Sequence, residues 1–125
     1  MSIYLAITLG GSLGAVSRFW MASSTYRWLG LGFPYGTLAV NLLGSLAIGF
    51  LWVLLAHRFA VSEELRHGVL VGFLGSFTTF STFALDVLHL GSGGEILKAM
   101  LYILLSVLLC VLGAWTGLLA AKQLI

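Results

Sequence analysis

Within twelve positions the chain places two glycines, five hydroxyl residues and four phenylalanines: Gly72-Phe73-Leu74-Gly75-Ser76-Phe77-Thr78-Thr79-Phe80-Ser81-Thr82-Phe83. Two kinds of ion chemistry follow from those residue types. Glycine and β-branched threonine both weaken a helix, and the hydroxyls compete for its backbone hydrogen bonds. A helix interrupted there frees backbone carbonyls, which are natural ligands for a small cation. The phenylalanines step by four, three and three, the spacing of one helical face. Such a stripe either packs against a neighbour or turns ring edges toward an ion. A ring edge is positive, so it can hold a desolvated anion without a full opposing charge that would trap it. Conduction needs binding of that intermediate strength.

Other polar residues interrupt apolar surroundings. Asn41 is an uncharged amide in the apolar stretch Gly36–Ala56. An unpaired amide in hydrocarbon is costly, so it faces a partner helix or a watery cavity. As interhelical glue it contributes about 0.6–2 kcal/mol, and as a pore residue its NH₂ group donates to an anion. Tyr102, Ser106 and Cys110 step by four along one face, as either a polar rail or a helix contact. Arg18 either snorkels to headgroups or concentrates anions at an entrance. Asp86 is the one acidic residue inside an apolar stretch and fits a wet vestibule near the surface. Gly10 with Gly14, Gly11 with Ala15, and Gly113 with Gly117 are small-residue pairs suited to close helix packing.

The elements that must position these residues follow from composition. The 125 residues are 60% apolar and 8% charged, with a mean hydropathy of +1.09. A water-soluble surface carries far more charge. A spanning helix needs roughly 20 mostly apolar residues, and four stretches qualify, at about 3–22, 36–56, 68–88 and 96–121. The first lacks a preceding basic residue and is too long for a signal core, so it is read as a span and not a cleaved leader. Trp20, Tyr26, Trp28, Tyr35 and Trp115 lie near span ends, as an interfacial aromatic belt places them. The expectation is an all-α integral membrane protein of one four-span domain, with the third helix broken mid-membrane and no internal repeat.

Several function classes drop out. Cys110 is alone, so no intrachain disulfide framework exists. The net charge of +2 is small and dispersed, which argues against nucleic acid as a partner. No zinc-ligand spacing, phosphate-binding loop or serine–histidine–acid pattern occurs, and no enzyme is expected. His57, His67 and His89 sit near span ends and read as interfacial residues.

With four spans, Arg58, Arg66 and Lys122 fall on one side of the bilayer, and Arg18, Arg27 and Lys98 on the other. Orientation normally follows a lysine and arginine excess, and here there is none. Either an insertion partner fixes the topology, or copies insert both ways and pair antiparallel.

The chain resembles the small bacterial fluoride channels of the CrcB or Fluc family over essentially its whole length. The resemblance rests on Gly10-Gly11, Gly14-Ala15 and Arg18-Phe19, on Gly36-Thr37, Asn41 and Gly44, and above all on the string from Gly72 to Phe83. It implies passive fluoride export across the bacterial inner membrane by an antiparallel, dual-topology homodimer with two pathways. In that reading Phe80 and Phe83 contact the ion and Asn41 hydrogen-bonds beside the path. Ser81, Thr82, Tyr102 and Ser106 form the opposing polar track, and Arg18 sits at the aqueous vestibule. Gly75 and Thr78 give backbone carbonyls to a central structural sodium ion. A hydroxyl is expected at Cys110, where a thiol donates only weakly. The nearest rival class, small proton-coupled multidrug or guanidinium exporters, is built on a first-span glutamate that this chain lacks. A purely structural membrane subunit does not account for the dense Thr/Ser cluster.

Overall fold

The computed structural model describes residues 2–125, and every regular element among them is helical. Helix α1 (Ile3–Leu29) starts where the Ser2 hydroxyl accepts from the Leu5 amide, as an N-cap does. It continues past Ala22 because Ser23–Trp28 contains no helix breaker. It stops at Gly30, whose φ of 84° is a conformation glycine adopts without strain. A short turn containing Pro34 leads into α2 (Tyr35–Val53), which runs on as a π-helical turn over Leu54–Arg58.

Ser62 caps α3 (Glu63–His67), accepting from the Leu65 amide, while Glu63 and Glu64 stand at the positive end of the helix. The same rod widens into π-helix over Gly68–Leu74, closes with one turn, α4 (Gly75–Phe77), and there breaks. It restarts as α5 (Phe80–Ser92). After Gly93 and Gly94 the chain turns back into α6 (Ile96–Lys122).

Among the described residues, three helical rods are long and apolar enough to cross a membrane: Tyr35–Arg58, Glu63–Ser92 and Ile96–Lys122. Helix α1 has 27 residues, about 40 Å at 1.5 Å per residue, but its Gly, Ser, Thr and Arg content makes it less apolar. Large hydrophobic side chains such as Phe19, Trp28, Leu97 and Val111 lie on the outer surface. In water so much exposed apolar area is an aggregation liability, whereas in lipid it is the expected surface.

Two close contacts hold the bundle. Helix α6 packs along α2, and α1 packs along the π-helical segment Gly68–Leu74. In both, glycine is required by proximity. A Cβ at Gly10 would collide with the Gly68 carbonyl, and one at Gly14 with the Phe73 carbonyl. Likewise Gly49 lies on the Ala114 carbonyl and Gly117 on the Leu46 carbonyl. Gly10, Gly14 and Gly117 therefore do the packing work expected of small residues between membrane helices. Gly113 meets the Leu42 side chain. The segments outside the rods are tied down as well: Lys98 donates to the Gly32 carbonyl at 3.1 Å, and Arg58 donates to the Leu124 carbonyl.

Candidate functional site: two cavities at a broken helix

The interruption of the third rod occupies two residues. Thr78 (φ −88°, ψ 159°) and Thr79 (φ −152°, ψ 120°) are both extended. The Thr78 amide still reaches the Leu74 carbonyl at 3.1 Å, so the helix survives up to that point. The next amide does not continue it. Thr79 N–H donates to Asn41 Oδ1 at 2.7 Å, and Asn41 Nδ2 donates to the Thr79 carbonyl at 2.9 Å. One side-chain amide from α2 thus satisfies both backbone groups of the residue at the break. Asn41 therefore acts as glue between helices, with one amide hydrogen left for another acceptor.

Thr79 also starts the second half. Its Oγ1 accepts from the Thr82 amide at 3.1 Å and donates to Thr82 Oγ1 at 3.0 Å. Ser81 Oγ lies 3.4 Å from the same atom. The carbonyls of the last turn before the break lose their helical donors as a result, those of Gly75 and Thr78 among them. In a continuous helix the Gly75 carbonyl would accept from Thr79 and the Thr78 carbonyl from Thr82. Those amides go instead to Asn41 and to the Thr79 hydroxyl. The carbonyls of Gly75 and Thr78 thus lack the amide four residues on that a continuous helix would supply. Among the described residues no group of three or more His, Cys, Asp or Glu converges on a metal position.

The break also divides the phenylalanine stripe, which is a correction to the single helical face expected from its spacing. Phe73 and Phe77 stack before it, with centroids 6.0 Å apart and planes within 8°. Phe80 and Phe83 pair after it, at 5.4 Å and 46°. Phe83 is 9% exposed and rests on Tyr102 at 5.1 Å, whereas Phe80 is 80% exposed. Tyr102 is fully buried, and its hydroxyl donates to Asp86 Oδ2 at 3.0 Å.

Two cavities flank the break. One, of about 370 Å³, is lined by Asn41, Gly75, Thr78, Phe80, Phe83, Ser106 and Cys110, together with Thr79, Ser45, Gly44 and aliphatic neighbours. The other, of about 400 Å³, is lined by Arg18, Ser23, Tyr26, Thr37, Thr82 and Asp86, again with Thr79. Thr79 borders both and stands between them. The residues expected from sequence thus divide. Asn41, Phe80, Phe83, Ser106, Gly75 and Thr78 share one cavity, and Arg18 and Thr82 share the other. Tyr102 joins the set through Phe83 and Asp86, and Ser81 through Thr79, without lining either space.

Thr79 and Thr37 stand in the sequence motifs without an assigned role, and the Asp86–Tyr102 bond is not foreseen from the sequence. A threonine immediately before a helical stretch is a capping signal, which marks Thr79. Nothing local marks Thr37, whose Oγ1 lies 3.4 Å from the Tyr26 hydroxyl across two helices.

The family pattern described as "CrcB-like protein, Camphor Resistance (CrcB)" matches residues 5–118, which contain the break, both cavities and all the residues above. The chain belongs to this family. Relatives named "Fluoride-specific ion channel FluC" occur in Methylococcus capsulatus (52% identical, over 95% of this chain and 52% of the relative). Others come from Magnetococcus marinus (51%, over 93% and 94%) and Geobacter sulfurreducens (44%, over 99% and 100%). The chain spans about half the length of the Methylococcus capsulatus relative and nearly all of the other two. Family membership and the apolar helices together make the chain a multi-pass membrane protein.

Proposed function

We propose that this chain is one subunit of a fluoride-selective channel that lets the ion leave the bacterial cytoplasm down its gradient across the inner membrane. It is not an enzyme: its role is to replace water around an ion. The observation that carries the reading is the break itself. Asn41 locks Thr79 in an extended conformation, and this sets the Phe80–Phe83 ring pair in one cavity wall with Asn41 and Ser106. The family relatives carry a name that agrees with it.

Fluoride is small and strongly hydrated, so removal of its water must be offset by several close donors at once. Ring edges of Phe80 and Phe83 and the hydroxyls of Ser81, Thr82 and Ser106 supply polarised hydrogens, with the free amide hydrogen of Asn41 beside them, while Tyr102, its hydroxyl hydrogen given to Asp86, supports the Phe83 ring. None carries a full positive charge, which keeps binding weak enough for release. Arg18, in the second cavity, raises the anion concentration at the entrance.

The full assembly in this reading is an antiparallel homodimer in the lipid bilayer, each copy crossing four times with α1 as the first span. Three features support it: the balanced basic residues, the exposure of Gly75 and Phe80 on the single chain, and the small size of the bundle. Two copies meeting at this face bring the Gly75 and Thr78 carbonyls of both chains together. These would hold the structural sodium ion, which when bound neutralises the facing negative helix ends.

Liposomes loaded with fluoride and carrying the purified protein should empty when a potassium ionophore clamps the potential, and protein-free liposomes should not. Failure to release fluoride overturns the channel reading. A tag at the carboxy terminus of protein in native membranes should be reached by impermeant label from both faces. Labelling from one face alone rejects the antiparallel assembly.

A further inference from the structure

Five aromatic rings run in sequence of contact from the α1–α2 turn to the cavity wall. Tyr35 and Phe33 lie 5.3 Å apart, Phe33 and Tyr102 5.5 Å, Tyr102 and Phe83 5.1 Å, and Phe83 and Phe80 5.4 Å. Tyr102 is the fixed member, fully buried, with its hydroxyl donating to Asp86 and its ring at 83° to that of Phe33. Phe33 belongs to a turn whose Leu31 and Gly32 are exposed, yet its own ring is half-buried. One face of α6 grips that turn twice. Lys98 Nζ donates to the Gly32 carbonyl at 3.1 Å, and Tyr102, one helical turn on, meets the Phe33 ring. Pro34 is buried with φ at −77°, and a proline restricts the backbone of the residue before it. Phe33 itself does not line the cavity that holds the ring pair.

We infer that Phe33 is a positioning residue for fluoride passage, acting on the Phe80–Phe83 pair through Tyr102 from outside the path. The inference rests on the channel reading above. A ring attracts an anion through its edge and repels it through its face, so the pair works at a set tilt. Among the described residues Phe83 is the ring that Phe80 pairs with, and Phe83 in turn rests on Tyr102. Tyr102 is restrained at two points: Asp86 holds its hydroxyl, and Phe33 stands against its ring. Removing the Phe33 ring releases the second restraint. Tyr102 then rocks about its hydroxyl bond, and the tilt of Phe83 and Phe80 follows. Opening the Lys98–Gly32 bond acts at the same point, because it frees the turn that carries Phe33. Leucine at this position fills much of the space but offers Tyr102 no ring, whereas tyrosine keeps one.

The test uses the full chain, labelled throughout with para-fluorophenylalanine for fluorine NMR in detergent, and unlabelled in liposomes for fluoride release. The Phe80 signal is assigned by its loss in Phe80→Ile. In Phe33→Leu that signal should move, with release slowed by about three- to tenfold, the range that one aromatic pair supplies. Phe33→Tyr should return both to the values of the unaltered protein. Where Phe33→Leu does not fold, Lys98→Met reads the same displacement with every ring kept. A Phe80 signal that stays in place in the folded variant overturns the inference, since a ring that merely packs the turn has no effect two rings away. Unchanged release despite a moved signal also overturns it, as does a loss that Phe33→Tyr fails to restore. These outcomes leave the channel reading standing. Absence of fluoride release from the unaltered protein overturns the channel reading and this inference together.

Discussion

Replacing Phe80 with Ile should lower fluoride flux by about 100-fold, or roughly 2.7 kcal/mol on the barrier to passage, while leaving the fold intact. The side chain is 80% exposed on the single chain, so its loss empties little of that chain's interior. What disappears is the polarised ring edge, since an aliphatic side chain of similar bulk offers the anion no comparable partner. Phe83→Ile should reduce flux to a similar degree but also cost stability. That ring is 9% exposed and rests on Tyr102, so its replacement disturbs core packing as well. Flux assays paired with thermal unfolding in detergent separate the two effects. Unchanged flux in Phe80→Ile, with protein confirmed in the membrane, would refute the ring role.

Asn41 should show the largest effect on the fold. Its side chain holds both the N–H and the carbonyl of Thr79. Asn41→Leu leaves both groups without partners, at about 1–3 kcal/mol each, and no water is at hand in a bilayer to replace the lost bonds. A destabilisation of about 2–6 kcal/mol on that basis is a large share of the stability of a small domain. Asn41→Asp gives a sharper reading. The carboxylate still accepts from Thr79 N–H but cannot donate to the Thr79 carbonyl, and it sets a negative charge beside the path. Flux should fall further than stability does in Asn41→Asp, whereas both should collapse in Asn41→Leu. Equal stability of Asn41→Leu and the unaltered protein would show that Asn41 does not hold the break.

The broad architecture was legible because composition constrains it. Few sequences with 8% charge and long apolar stretches have another way to be stable. The third rod was legible as a trouble spot, since Gly, Thr and Ser at that density weaken any helix. Its position at Thr78–Thr79 was not, because the residue that fixes it lies 38 positions earlier. The same limit explains the phenylalanines. Spacing of four, three and three describes one face only if the helix is continuous, and a long-range bond decides that it is not. Helix α1 outran its expected span because a polar segment ends a hydropathic stretch without ending a helix; Gly30 does that. The π-helical turns over Leu54–Arg58 and Gly68–Leu74 have no residue signature of their own. Tyr102 was found by its place on the face with Ser106, but its bond to Asp86 joins residues 16 apart on separate helices.

The central claim is that this broken helix builds a path selective for fluoride, and simultaneous recording of both halides tests it most directly. Liposomes containing the protein and loaded with fluoride and chloride in equal amounts are clamped with a potassium ionophore, and two ion electrodes follow release. Ring edges and close hydroxyl donors at a narrow wall should pass fluoride rapidly while chloride stays inside at the rate of protein-free liposomes. Comparable release of the two ions would contradict the account.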